Sequence, residues 1–220
     1  MSHAKRALIF DMDGTIVDNM AFHTKSWITF FERRGHAIDP DAFFRATAGR
    51  QGGEIIRSHF GADLLDDEVM LLNHEKEAVY RELYAPHRKA VEGFEDLIAD
   101  AKSQGIALAV GTAAPPANVE FTLDGLDLRR YFDAIVGATD VARGKPHPDV
   151  FLEAAKRCGA EPADCIVFED APLGVEAARR AGMRAVVLTT TLPAEAFAEF
   201  DNVITIVSDF SQLSLDELFA

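Results

Sequence analysis

At 220 residues, 48% of them hydrophobic, the chain is long enough for one core domain with a modest insert and too short for several large domains. Its 22 Lys and Arg against 36 Asp and Glu leave a net charge of −14, which argues against nucleic acid or an anionic membrane as a partner. No apolar run approaches the roughly 20 residues of a membrane span and no apolar signal segment opens the sequence, so a soluble, cytoplasmic protein is expected.

The first expected element is a strand over residues 6–10, whose apolar content suits a parallel sheet covered on both faces. It runs straight into Asp11-Met12-Asp13-Gly14-Thr15, where two carboxylates spaced i, i+2 precede a glycine of the kind needed for a tight turn out of a strand. Open α/β sheets hold their ligands at the carboxyl ends of strands, so both carboxylates stand where a reacting group would. The bland alternative is an acidic strand exit, since Asp and Gly are ordinary turn formers.

Residues 18–86 have a different texture. Helical periodicity runs over 22–34, where Trp27, Ile28, Phe30 and Phe31 supply an apolar face, and again over 54–60 and 67–84, with no strand between them. Pro86 marks the exit. An α-helical insert over 18–86 is therefore expected, flanked by a core made of residues 1–17 and 87–220. Phe22, Phe30, Phe43 and Phe44 read as helix core rather than as a substrate platform.

From Gly93 short apolar strands alternate with helices, the pattern of βαβ units and a parallel sheet. Strands are expected over 106–111, 134–137, 165–168, 185–188 and 202–206, with helices over 94–104, 116–124, 148–158 and 173–181. Three further stretches carry polar chemistry at the ends of these elements. Thr112 closes a buried strand, where a hydroxyl as readily caps the next helix. Lys145 precedes a proline-braced helix start in Gly144-Lys145-Pro146-His147-Pro148-Asp149, with His147 a turn or cap residue. Glu169 and Asp170 end an apolar strand ahead of a helix, where an acidic pair can also serve plain dipole capping. Cys158 and Cys165 are too few for a disulfide framework and read as small buried hydrophobes.

Taken in order, these four stretches resemble the motifs of the haloacid dehalogenase superfamily, the first as its DxDG[TV] signature and the fourth in its ED form. The resemblance covers essentially the whole chain and implies an α/β fold: a doubly wound, parallel-sheet, Rossmann-like core with an inserted α-helical cap closing over the site. It also implies Asp11 as nucleophile, Asp13 as general acid and base, Thr112 as a donor to a phosphoryl oxygen and Lys145 as the neutralising cation. Mg²⁺ is the implied cofactor, held by Asp11, the Asp13 carbonyl, Asp170 and, directly or at one remove, Glu169. Lys145 answers a physical need, because several carboxylates and a phosphate dianion cannot share a dry pocket unless cations offset their repulsion.

The ED form, the early insert and the Lys145-Pro146-His147-Pro148-Asp149-Val150-Phe151 run are most similar to the β-phosphoglucomutase-like branch, which also holds sugar-phosphate phosphatases. A Mg²⁺-dependent phosphatase acting on a small phosphomonoester is expected. A mutase of the β-phosphoglucomutase type must hold a second phosphate, and the sequence departs from that pattern in two places. Ala48 and Gly52 stand where that mutase carries a lysine and an arginine, and Ala113, Ala114, Pro115 and Pro116 replace its donors after the second motif. A dehalogenase would lack Asp13, Glu169 and Asp170, and a non-catalytic binding protein on this fold would have lost one of the motif residues. Asn19, His23, Arg50, Gln51 and Lys76 are the cap residues expected to touch substrate, a small phosphorylated molecule such as a sugar or polyol phosphate. Neither its identity nor the oligomeric state follows from the sequence.

Overall fold

The computed structural model describes residues 5–47 and 52–220. The chain divides into two compact units, one made of residues up to Asp18 together with Arg88–Ala220, the other of Asn19–His87.

The first unit is built on a six-stranded sheet in the order β3-β2-β1-β4-β5-β6, from β1 (Ala7–Phe10), β2 (Ala107–Gly111), β3 (Ala134–Val136), β4 (Cys165–Glu169), β5 (Arg184–Leu188) and β6 (Val203–Val207). Every neighbouring pair is parallel. All four side chains of β1 are buried, as a central strand covered on both faces requires. One face presents Ile9, Ala107, Ala109, Cys165, Val167, Ala185 and Val187 to helices Asp149–Cys158 and Pro172–Arg180. The other presents Phe10 and Phe168, stacked across the β1–β4 register at 4.5 Å, to Phe94 of helix Phe94–Ser103 and to Phe210. With helices on both faces this is a doubly wound α/β, Rossmann-like core, and the six strands fall within a residue or two of the stretches expected from apolar runs and turn signals.

The second unit consists of helices α1 (Met20–Glu32), α2 (Pro40–Thr47), α3 (Gly52–Phe60) and α4 (Asp66–Tyr84), with no strand among its described residues. Trp27, Phe30, Phe31, Phe43, Ile55, Ile56 and Val69 form its own core. Helix α2 is absent from the sequence expectation. Its eight residues are amphipathic but make barely two turns, too few for a period to stand out, and the local signal is the Asp39-Pro40 start, where Asp39 Oδ1 accepts the Ala42 N–H at 2.7 Å. No described helix is long and apolar enough to cross a membrane.

Candidate active site

Sheet register brings the polar residues of the first unit together. Phe10 pairs with Val110 on one side and with Phe168 on the other, so the residues following β1, β2 and β4 emerge side by side at the carboxyl ends of three adjacent strands. The chain leaves β1 toward opposite edges of the sheet through β2 and β4, and such a reversal of strand order opens a crevice. Asp11 extends β1 by one ladder bond, its N–H donating to the Phe168 carbonyl at 2.9 Å. The backbone then folds back sharply: Gly14 sits at φ 82°, its N–H donates to the Val17 carbonyl at 2.8 Å, and Asp13 and Val17 form an isolated bridge. A Cβ at Gly14 would be strained at this φ and would overlap the Asp170 carboxylate.

Lys145 is the hub of the cluster. Its Nζ donates to Asp11 Oδ1 at 2.5 Å and to Glu169 Oε1 at 2.7 Å, while its ammonium stands 4.8 Å from the centre of the Phe151 ring. Phe151 in turn packs where Gly111 lacks a side chain. Glu169 spends its second oxygen on the N–H groups of Asp170 (3.0 Å) and Ala171 (3.1 Å) at the start of helix Pro172–Arg180. Asp170 Oδ1 accepts from Thr15 Oγ1 at 3.3 Å. Thr112, buried at the end of β2, accepts the Ala114 N–H on its hydroxyl oxygen at 3.1 Å. Asp13 is partly exposed and lies in the Gly14 turn.

The cluster is dry and acidic. Burial raises the Asp11 pKa well above the ordinary carboxylate range; Lys145 opposes this and the charges of Glu169 and Asp170 add to it. Burial, then the charge of Glu169, pushes Asp170 up to about 7. For Lys145, burial alone would lower the pKa, but Asp11 and Glu169 outweigh it and hold the ammonium charged. When all are ionised, the three carboxylates and one ammonium leave two negative charges, which a divalent cation would balance. The oxygens of the cluster are hard donors, the kind that suits Mg²⁺. No group of three His, Cys, Asp or Glu side chains placed to hold a metal occurs among the described residues, and Glu169 is committed to Lys145 and two amides. Asp11, Asp170 and the Asp13 carbonyl would hold such an ion, with the remaining positions left for water or substrate; Mg²⁺ commonly takes few protein ligands.

The sequence candidates in the helical unit lie in a second polar cluster. Asn19 Nδ2 donates to the Tyr80 hydroxyl at 2.6 Å, and the His23 ring stacks on Tyr80 at 3.9 Å. Lys76 is buried, with its Nζ 2.8 Å from Glu77 Oε1, 3.2 Å from His23 Nδ1 and 4.9 Å from the Trp27 ring centre. Arg50 and Gln51 lie outside the described residues. Sequence reasoning missed Thr15 and Thr190; the Thr190 hydroxyl donates to the Gly14 carbonyl from the loop after β5. The signal for the latter was its place, since the loop leaves another carboxyl end of the same sheet.

The haloacid dehalogenase-like hydrolase family matches residues 5–182. The chain is 35% identical to validoxylamine A 7'-phosphate phosphatase of Streptomyces hygroscopicus subsp. limoneus over 89% of this chain and 91% of the relative. It is 37% identical to fructose-1-phosphate phosphatase of Escherichia coli over 81% of this chain and 94% of the relative. Among solved structures, β-phosphoglucomutase from Clostridium difficile superposes with a TM-score of 0.82 at 27% identity, covering 98% of this chain and 96% of that one. The chain belongs to the haloacid dehalogenase-like hydrolases and is an enzyme of their phosphatase type, on the branch shared by sugar phosphatases and β-phosphoglucomutases.

Proposed function

We propose that this chain hydrolyses a small sugar or polyol phosphate through an aspartyl-phosphate intermediate, with Mg²⁺ as cofactor. The observation that carries this reading is the buried cluster in which Lys145 bridges Asp11 and Glu169 beside Asp170. Asp11 attacks phosphorus in line as the carboxylate, a state that Lys145 favours against the effect of burial. Asp13, partly exposed in the turn, donates a proton to the leaving alkoxide and then, as a carboxylate, activates the water that hydrolyses the acyl phosphate. Thr112 accepts the Ala114 N–H, which orients its own O–H to donate to a phosphoryl oxygen. Mg²⁺ bound at Asp11, Asp170 and the Asp13 carbonyl would supply charge neutralisation for the phosphoryl oxygens. Glu169 holds Lys145 and the backbone at Asp170 in place.

The substrate class follows the relatives whose names state phosphorylated sugars or sugar-like compounds. We assign residues 19–87 the role of a cap that selects the leaving group, with Asn19, His23 and Lys76 as its contact residues. The four residues after Thr112, two Ala and two Pro, supply no side-chain donor for a second phosphate, which favours hydrolysis over a mutase reaction.

Phosphate release from a panel of sugar phosphates and other phosphomonoesters, measured with Mg²⁺ and with EDTA, tests the reading. Release that depends on metal supports it. Negligible release across the panel, with conversion of β-glucose 1-phosphate in the presence of the 1,6-bisphosphate, would make the enzyme a mutase. For Asp13→Asn, the loss should be larger with an alkyl phosphate than with p-nitrophenyl phosphate, whose leaving group needs no proton; equal losses would remove the acid role from Asp13.

A further inference from the structure

The loop after β5 opens with three threonines, Thr189, Thr190 and Thr191, and each hydroxyl has a different situation. Thr189 Oγ1 donates to the Val207 carbonyl at 3.3 Å and so serves the sheet edge. Thr190 Oγ1 donates to the Gly14 carbonyl and ties the loop to the turn after Asp13. Thr191 Oγ1 is buried and completes no hydrogen bond of good geometry, yet it lies near enough to the Asp170 carboxylate to act on it as a donor. A buried hydroxyl is expected to find a partner, so its surroundings matter. The point that a Cβ on Gly14 would occupy is 2.8 Å from Thr191 Oγ1 and is also crowded by Asp170 Oδ2. The other oxygen of the same carboxylate, Oδ1, is the acceptor of the Thr15 hydroxyl.

We infer that Thr191 is a positioning residue for Asp170: a rotation of its side chain lets the hydroxyl donate to Oδ2, so that Thr15 and Thr191 hold the carboxylate from two sides. Gly14 leaves the space in which carboxylate and hydroxyl meet. The turn after β1 supplies Thr15 and Gly14, the end of β4 supplies Asp170, and the loop after β5 supplies Thr191; the hydroxyl of Thr190 locks the last to the first. The inference rests on the reading of Asp170 as a Mg²⁺ ligand, because a carboxylate held at both oxygens by hydroxyls is one aimed at a cation.

The test is Mg²⁺ binding without substrate, followed by calorimetry and by the Mg²⁺ dependence of Tm, for the wild type, Thr191→Val and Thr191→Ser. Valine keeps the shape and removes the hydroxyl. Loss of a hydroxyl that only fills space would leave the affinity unchanged, whereas loss of a ligand-orienting bond should weaken Mg²⁺ binding about tenfold, as other outer-shell partners do. Serine should restore most of the affinity, and Tm in EDTA should match the wild type in both variants. A Thr191→Val protein that binds Mg²⁺ as tightly as a responsive wild type would overturn the inference alone. A raised KM with unchanged Mg²⁺ affinity would also overturn it, by placing the hydroxyl on the substrate. A wild type with no saturable response to Mg²⁺ would overturn the metal reading first and the inference with it.

Discussion

Gly174 leaves open the space that the Glu169 carboxylate fills: a Cβ at position 174, in the first turn of helix Pro172–Arg180, would overlap that carboxylate directly. Glycine costs a helix about 1 kcal/mol relative to alanine, so its presence here serves the carboxylate and not the helix. The volume matters because Glu169 uses both its oxygens there, one toward Lys145 and one toward the amides of Asp170 and Ala171.

Gly174→Ala is therefore expected to lower activity about tenfold or more by displacing Glu169 and loosening Lys145. Helix propensity alone would raise Tm, so a fall in Tm alongside the loss of kcat/KM measures the overlap. Thermal melts and steady-state kinetics on the same preparation check it.

Asp11→Asn should abolish phosphate release, a loss of about 10³-fold or more if the carboxylate is the nucleophile. The fold should not suffer. Asn removes a buried charge whose pKa burial has already raised, and it leaves Lys145 paired with Glu169. In EDTA the variant is expected to melt at or above the wild-type temperature; a melt well below it would mean that the Asp11–Lys145 pair holds the core together.

Stability of the metal-free protein should depend on pH through Asp170, whose pKa burial and Glu169 raise from 3.8 to about 7. A raised pKa means that the folded state holds the proton more tightly than the unfolded chain. That contribution is complete below the ordinary carboxylate pKa and is lost as pH rises through about 7. The rise in Tm caused by Mg²⁺ should accordingly be larger near pH 8 than near pH 5.5, and Asp170→Asn should flatten the difference. Differential scanning fluorimetry across pH, with and without EDTA, reads both.

Both cysteines should resist thiol reagents in the native protein. Burial raises the thiol pKa of Cys158 and pushes that of Cys165 up to about 12, so the reactive thiolate is scarce near pH 8. A colorimetric thiol titration should count neither without denaturant and two with it.

Local patterns were enough for much of the architecture. The apolar run of β1, the alternation of short strands with helices after Gly93, and the aromatic periodicity around Trp27 each report burial, and burial leaves a period in the sequence. Helix α2 escaped because eight residues are too few for a period to stand out, which left the cap at Asp39-Pro40 as its signal. The order in which Asp11, Asp13, Thr112, Lys145, Glu169 and Asp170 occur was likewise plain in the sequence, since each stands next to the start or end of a recognisable element.

Which elements form, which carboxylates and hydroxyl end the strands and which lysine precedes a helix could be read from the sequence, because these depend on near neighbours along the chain. Tertiary structure alone decided that one ammonium would serve both Asp11 and Glu169, that Gly14 and Gly174 would make room for Asp170 and Glu169, and that the loop after β5 would bring Thr190 and Thr191 to the turn at Gly14. The hydrogen bonds among them join residues 24 to 176 positions apart. Their geometry is set by parallel register and by the absence of a Cβ at two points, neither of which leaves a local pattern in the sequence.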